Sequence, residues 1–404
     1  MSREFIVSLE NMSRRISSGL QQPSWMSDLR SEAIDVIRNM HEKGELGASL
    51  FFDFDKGPSA SIRLDKGAIN DRSQKIKMMR NLAGREIVFL DLIEAANQFG
   101  AIVREHLGSV ADMKGNLAAA MNTALFSEGI FLYVPQNAKS EISLGSLSIG
   151  DNERIDRFER TLIVLDKGAS LKYIEGCSSD FHHLGIGFRA KVLEIILMEN
   201  ASVEVVSLQN WGGKVRNLGT RCAKIMDRGS ISWIYSCLSP TNSENGPRIV
   251  LEGKKAKADI KSIYLLGEGE NISIGPVVMH KGESTSAKVK SKIIQKKGSS
   301  VIYCPRINTD SSSEGNLTSL SIENLLMHEE TCFDVDKTCL QNIDTHNSIE
   351  ISGVQDRIDE VHYLRNRGFS DNDISKIFME SFIDDFLNCL PLEYSVELAN
   401  LICL

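Results

Sequence analysis

Through the middle of the chain, apolar and polar positions alternate with a period of two, in runs separated by short polar breaks. Ala287, Val289, Ser291 and Ile293 fall on one face of such a run, and Lys288, Lys290 and Lys292 on the other. That is strand chemistry, because successive side chains of an extended backbone point to opposite sides. The breaks read Gln136-Asn137-Ala138, Asp166-Lys167-Gly168-Ala169-Ser170, Glu199-Asn200-Ala201-Ser202, Asp227-Arg228-Gly229-Ser230, Gly267-Glu268-Gly269-Glu270 and Lys296-Lys297-Gly298-Ser299. Each holds a Gly or an Asn, residues that tolerate positive φ and let the chain turn sharply. From Asn137 through Gly168, Asn200, Gly229, Gly269 and Gly298, most spacings are about 30 residues, the range of solenoids and arrays. The step from Gly229 to Gly269 is longer by about ten, which points to a loop inserted around 239–246. A unit of this size, with two or three short strands and no helical stripe, cannot bury its apolar face alone. Stacked as coils of a parallel β-helix, such units bury one another. An antiparallel sandwich with regular turns is the competing architecture.

The two ends are patterned differently. Residues 26–43 carry Leu29, Ala33, Val36, Ile37 and Met40 at three- and four-residue intervals, an amphipathic helix, with Trp25 before it to pack it on a neighbour. Segment 46–69 reads as two short strands and 87–106 as a further helix. Segment 116–138 is rich in small residues and ends in a strand, 130–134, stopped by Pro135. At the other end, 354–367 reads as a helix closed by Gly368, and Ser370 to Asp373 has the spacing of a capping box. The helix it opens bears Ile374, Ile377, Phe378, Phe382, Phe386 and Leu390 as one apolar stripe, and 391–404 reads as a last short helix. Such a stripe either caps the end of the solenoid or docks a partner. The expected division is a mixed, mostly helical region over 1–120, a β-helix core over 121–352 and a C-terminal helical domain over 353–404.

Composition narrows the function. The formal net charge of -8 argues against nucleic acid or an anionic membrane as a general partner. Lys254, Lys255 and Lys257 read as a solvated turn. There is no run of 18 apolar residues, and the first 15 residues lack a stretch long enough for a secretory signal, so a cytoplasmic protein is expected. The eight cysteines form no Cys-x-x-Cys pair and are too sparse for a disulfide scaffold, so reduced thiols are expected. No phosphate-binding Gly-rich loop, His-Glu-x-x-His or Gly-x-Ser-x-Gly motif is present, so no nucleotide is expected to bind this chain.

The best thiol candidate is Cys177, at a strand end beside Gly176, with His182 and His183 close behind; a buried structural cysteine is the alternative. Gln209, Trp211 and Arg221 fall in the following coil, placed to line the same interior or its rim. His328, His346 and His362 with Glu329, Glu330 and Glu350 offer nitrogen and oxygen ligands, but at spacings that match no compact metal site.

Several stretches form unusual residue combinations in one collinear order: PSWM, MNTALFSEGIFLYVP, FERTLIVLDKGASLKYIEGCSS, VEVVSLQNW, GTRCAKIMDRGSISWI, YLLGEGE and the tail from YLRNRGFSDND to LEYSVEL. In these the chain resembles the SufB/SufD family, the scaffold subunits of the SUF iron–sulfur cluster assembly machinery, and its middle is closer to SufB. The resemblance implies a mainly β fold, a right-handed parallel β-helix flanked by helical N- and C-terminal regions. It implies a non-enzymatic scaffold that pairs with a SufB/SufD paralogue or with itself as a dimer. It also implies that the ABC-type ATPase SufC docks on the C-terminal helices, here through Tyr363, Phe378, Phe382 and Phe386. Sulfur would come from a cysteine desulfurase or a sulfur carrier, for a transient iron–sulfur cluster. By the same likeness Cys177 is the sulfur acceptor, and Gln209, Trp211 and Arg221 lie along the sulfur route.

The later part of that pattern is altered. SufB carries a cysteine just before a Leu-Leu pair, where this chain has Asn324-Leu325-Leu326, and a His-Glu pair where this chain has Ile349-Glu350. Glu350, His346, Cys339 and Cys332 are the remaining metal-ligand candidates. A SufD-like subunit, holding SufC without taking up sulfur, is the alternative role.

Overall fold

A computed structural model describes residues 3–44, 87–140, 144–149, 157–178, 188–210, 216–238, 246–310, 313–326, 331–336, 348–354, 358–390, 392, 395–396 and 398–399. Among these the alternating segments form two long parallel stacks. The first joins Glu128–Val134, Arg157–Leu165, Phe188–Leu197, Arg216–Ile225, Arg248–Leu251, Val277–His280 and Arg306–Thr309. The second joins Leu144–Ile149, Ser170–Ser178, Ser202–Asn210, Ser230–Leu238, Lys257–Leu266, Ser286–Gln295, Leu317–Leu326 and Ser348–Val354. In the later coils a small third sheet joins Asn271–Ile274, Ser300–Tyr303 and Cys332–Val335. Successive strands visit the sheets in turn and each pairs in parallel with its counterpart one coil away, so the chain winds as a parallel β-helix. The antiparallel sandwich is excluded by those pairings.

One corner of the helix is a column of positive-φ residues: Asn137, Gly168, Asn200, Arg228, Lys255, Ser284 and Gly315, spaced 27 to 32 apart. From Asn137 to Ser284 each donates its backbone N–H to a carbonyl of the next coil, as Asn200 does to Asp227 and Lys255 to Glu283. That bond offsets the roughly 1–2 kcal/mol that a side chain pays in left-handed backbone. The column corrects the sequence reading in two ways. At the fourth break Arg228, not Gly229, takes the positive φ, and Gly269 and Gly298 belong to a second corner beside the small sheet. The long step to Gly269 therefore mixes two corners and needs no insertion; 239–245 lie outside the described residues.

The face of the first sheet that points away from the β-helix interior is covered by N-terminal helices, including Ser24–Glu42 and Leu117–Leu125, with Trp25 partly buried among them. Arg30 fastens this layer by donating to the carbonyls of Ala124 and Phe126. Segment 87–106, expected as one helix, begins instead as strand Val88–Asp91, antiparallel to Glu128–Val134. Its Val-Phe-Leu run satisfies an open sheet edge, and Asp91 then accepts from the N–H groups of Ile93 and Glu94 to start helix Leu92–Gln98. The strands expected in 46–69 lie outside the described residues.

Helix Asp371–Leu387 opens with the expected capping box, Ser370 and Asp373 bonding reciprocally, and Gly368 before it has φ of 90°. Met379, Phe382, Ile383, Phe386 and Leu390 pack on Ile174, Val206, Ile234, Ile263 and Ile294, the outward face of the second sheet. Lys290 and Lys292 each reach Asp385 at 2.6 Å. The stripe thus lies along the side of the solenoid.

Candidate functional site

Alternation along the second sheet decides what enters the β-helix. Tyr173, Val205, Trp233, Ile260, Val289 and Leu320 stack in register as one inward, apolar ladder. Two residues further along each strand the character changes to Glu175, Ser207, Tyr235, Ser262 and Ser291, again in register. Two further still, the rungs read Ser148, Cys177, Gln209, Cys237, Tyr264, Ile293 and Asn324. Among the described side chains, Glu175, Ser207, Gln209, Ser262, Ser291 and Asn324 are buried and form a polar strip along the axis inside an otherwise apolar solenoid.

Its charged part is built across the two sheets. Glu175 is fully buried, and its carboxylate receives Arg221 Nε at 2.8 Å and Ser207 Oγ at 2.8 Å, while Lys191 Nζ lies 2.9 Å from the other oxygen. Trp233 Nε1 donates to Ser207 Oγ at 3.1 Å, and the Arg221 guanidinium lies 5.5 Å from the centre of the Tyr235 ring. Burial by itself pushes the Glu175 carboxyl up; the charges of Lys191 and Arg221 and their hydrogen bonds outweigh it and hold the group down at about 2. Two cations are thereby fixed in a low-dielectric interior, an arrangement that favours anions such as a thiolate or a persulfide beside them.

One strand further on, Gln209 is 1% exposed, and neither its amide oxygen nor its nitrogen has a hydrogen-bond partner. A buried amide left unpaired costs about 1–3 kcal/mol, so its presence calls for a reason other than packing.

The sequence candidates are distributed as follows. Cys177 lies on the rung between Ser148 and Gln209, one strand from the orphaned amide and two residues after Glu175. Arg221 is buried in the charged cluster, not at a rim. Trp211, Cys339 and His346 lie outside the described residues. Cys332 and Glu350 are exposed, on separate strands. Among the described residues no group of three or more His, Cys, Asp or Glu side chains is arranged to hold a metal ion. Of the docking candidates, Tyr363 is 58% exposed, whereas Phe378, Phe382 and Phe386 are buried; Phe382 and Phe386 pack on the chain's own β-helix.

Glu175, Lys191, Ser207 and Cys237 escaped the sequence reading. The available signal was a polar residue at an inward position, Glu175 following Leu171 and Tyr173 at the same parity. Cys222 faces the N-terminal layer, where burial, and then the charge of Glu194, push its thiol up to about 12, which makes it inert at neutral pH. Cys304 is disulfide-bonded, against the expectation of reduced thiols. Coil stacking brings remote segments together there, Asp336 N–H bonding to Tyr303 O, and sequence distance hides that proximity.

A family model described as "SUF system FeS cluster assembly, SufBD core domain" matches residues 148–382, and "SufBD protein N-terminal region" matches 66–144. The chain belongs to the SufBD family. Curated relatives named "Iron-sulfur cluster assembly SufBD family protein" from Staphylococcus haemolyticus and Staphylococcus epidermidis are each 29% identical over 97% of this chain and 92% of their own length. One from Staphylococcus aureus aligns to the same extent at 29% identity. Membership of this family places the chain in iron–sulfur cluster assembly. No helix among the described residues is long and apolar enough to cross a membrane.

Proposed function

We propose that this SufBD subunit is a cytoplasmic, non-enzymatic scaffold that accepts sulfur at Cys177 for a nascent iron–sulfur cluster. The carrying observation is the buried polar strip on which Cys177 has its rung, with Lys191 and Arg221 anchored by Glu175 and Gln209 left unpaired. A persulfide is anionic, and fixed cations in a dry interior are what its retention requires. The sulfur source is a cysteine desulfurase or a carrier loaded by one, and the cluster is cargo. In the test, the purified chain is incubated with a cysteine desulfurase and L-cysteine, and bound sulfane sulfur is measured. Cys177→Ser is expected to lower it at least tenfold; unchanged loading would end the proposal.

The SufC-type ATPase is assigned to the outward side of the C-terminal tail, where Tyr363, Phe369, Ile377, Leu392 and Val396 are exposed. Phe382 and Phe386 act there indirectly, by fixing the tail to the solenoid. Tyr363→Ala is expected to weaken ATPase association tenfold or more in a pull-down titration while leaving the melting temperature unchanged, since exposed substitutions are usually within ~0.5 kcal/mol. Full retention of binding would move the docking site elsewhere. Pairing with a paralogue or a second copy is assigned to the β-helix.

A SufD-like structural role is the second reading, and one observation favours it. Glu175 already pairs with both cations, so they serve as a structural ion pair even without sulfur. In that case Cys177→Ser changes nothing, and ATPase docking persists.

A further inference from the structure

We infer that His280 is an acid-sensitive latch: as neutral imidazole it ties the corner at 281–285 to the coil that follows, and on protonation it lets these two coils part at that corner while the earlier coils stay wound. The inference stands whether or not the chain takes up sulfur. Val134, Leu165, Leu197, Ile225 and Leu251 precede His280 in register on successive strands of the first sheet, and all five are aliphatic and buried in the solenoid core. The next member of that column is a histidine, 1% exposed. An aliphatic side chain is buried there at no polar cost, whereas an imidazole needs partners for both nitrogens.

It has them. Nδ1 lies 2.6 Å from Thr285 Oγ1, and Nε2 lies 2.9 Å from Thr318 Oγ1 on the following coil. Asn316 sets the direction of these bonds. Its Nδ2 donates to Ser313 Oγ at 2.8 Å, so its oxygen is the atom that receives the Thr285 N–H at 2.9 Å and the Thr285 hydroxyl at 2.8 Å. The Thr285 hydroxyl hydrogen is thereby committed to Asn316, and the neutral ring must carry its own hydrogen on Nδ1. Nε2 is then the acceptor and Thr318 the donor. The backbone joins the same two coils, Asp310 N–H donating to the His280 carbonyl at 2.8 Å.

Nothing around the ring is arranged to receive a charge. Arg248 and Arg306 on the flanking strands, and Lys257, Asp259 and Lys288 on the second sheet, take outward positions by the alternation that places Ile249, Ile307, Ile260 and Val289 inside. At the corners, Lys281 pairs with Glu252 and Glu283 with Lys254 at the surface, and Asp310 and Glu314 are exposed. Among the described residues burial alone therefore acts on the ring, and it pushes His280 from its ordinary 6.5 down to about 4. Protonation would bury an unpaired charge and turn a second N–H against the Thr318 hydroxyl. An opened ring takes up a proton below 6.5 and the latched ring only near 4, so the latch contributes fully above 6.5 and loses that contribution as the pH falls towards 4. Between about pH 7.5 and about pH 5 this one group raises the opening equilibrium about thirtyfold.

The test uses the unmodified full chain and amide hydrogen exchange read by mass spectrometry at about pH 7.5 and about pH 5, corrected for the intrinsic pH dependence of exchange. Peptides covering 280–286 and 313–318 are compared with those covering the earlier corner at 197–203. Opening at the first two is expected to rise about thirtyfold relative to the third on acidification, and nitrogen NMR of labelled histidine should show a neutral His280 ring with its hydrogen on Nδ1 at neutral pH. His280→Leu, which continues the aliphatic column, should abolish the acid response of these peptides. Equal acid response at all three segments overturns the latch, as does a His280 ring that is protonated at neutral pH or carries its hydrogen on Nε2. An undiminished response in His280→Leu overturns it too. Exchange and NMR on the unmodified chain need no substitution, so the latch stays testable where the variant fails to fold.

Discussion

Two clusters of charge are buried in this molecule, and they are finished differently. On the cap side of the first sheet, Arg160 and Glu194 are both 0% exposed, with Arg160 donating to Glu194 through Nε at 3.1 Å and through its terminal nitrogen at 2.6 Å. Thr123 takes the third guanidinium nitrogen at 2.6 Å, and Glu194 also accepts from the N–H groups of Gly108 and Ala111. Asn122, beside them, donates to the carbonyls of Glu159 and Ala190. This cluster closes on itself and clasps the N-terminal layer to the β-helix. Inside the solenoid, Glu175 holds Lys191 and Arg221 with comparable geometry, yet the neighbouring Gln209 amide bonds to nothing. A buried network completed at every position is explained by stability; one that stops short leaves polar groups for something else to use.

The largest expected effects come from removing either carboxylate. Glu194→Gln and Glu175→Gln each strip the counter-charge from buried cations, a change that costs about 3–5 kcal/mol, read as a lower denaturation midpoint in urea. Only Glu175→Gln should also lower sulfur loading when both variants are assayed under folding conditions. Equal loss of loading in both would erase the distinction. Acid sharpens it further. The Glu175 carboxyl is held at about 2 when folded, below its ordinary value near 4.3, so it contributes stability above about pH 4.5 and loses it as pH falls towards 2. In Glu175→Gln that part of the acid sensitivity should vanish from the pH dependence of the midpoint.

Smaller effects of opposite sign are expected from the two amides. Asn122→Leu deletes bonds to two backbone carbonyls and should destabilise by about 1–3 kcal/mol. Gln209→Leu removes a group that has no bond to lose and should stabilise by a similar amount, about 1–3 kcal/mol. Loss of stability in Gln209→Leu would mean that its amide is paired in solution, and the contrast between the clusters would fail.

Much of the architecture was legible because its physics is local. Alternation and the Gly or Asn breaks at Asn137, Gly168 and Asn200 announce the coils, and Ser370 with Asp373 announces the last long helix. The later corners were misread because Arg228, Lys255 and Ser284 hold positive φ through hydrogen bonds to the next coil, which no propensity reveals. Strand Val88–Asp91 was hidden for the same reason, its partner lying about forty residues away. Within the site, Cys177 and Arg221 were visible as chemistry-bearing residue types, and Gln209 through its motif. Glu175 and Lys191 come from different sheets, and Cys237 becomes notable only when register sets it beside Gln209. The apolar stripe of the C-terminal helix was found, but whether it faces a partner or its own chain depends on Ile174, Val206 and Ile263, which are far away in sequence.

The most direct measurement is sulfane sulfur on Cys177 in Gln209→Leu, compared with the unmodified protein at a temperature where both are fully folded. The account predicts a more stable protein that takes up sulfur several-fold less well. A variant equally stable or more so, with sulfur occupancy unchanged, would contradict the claim that the open polar strip inside the solenoid exists to handle sulfur.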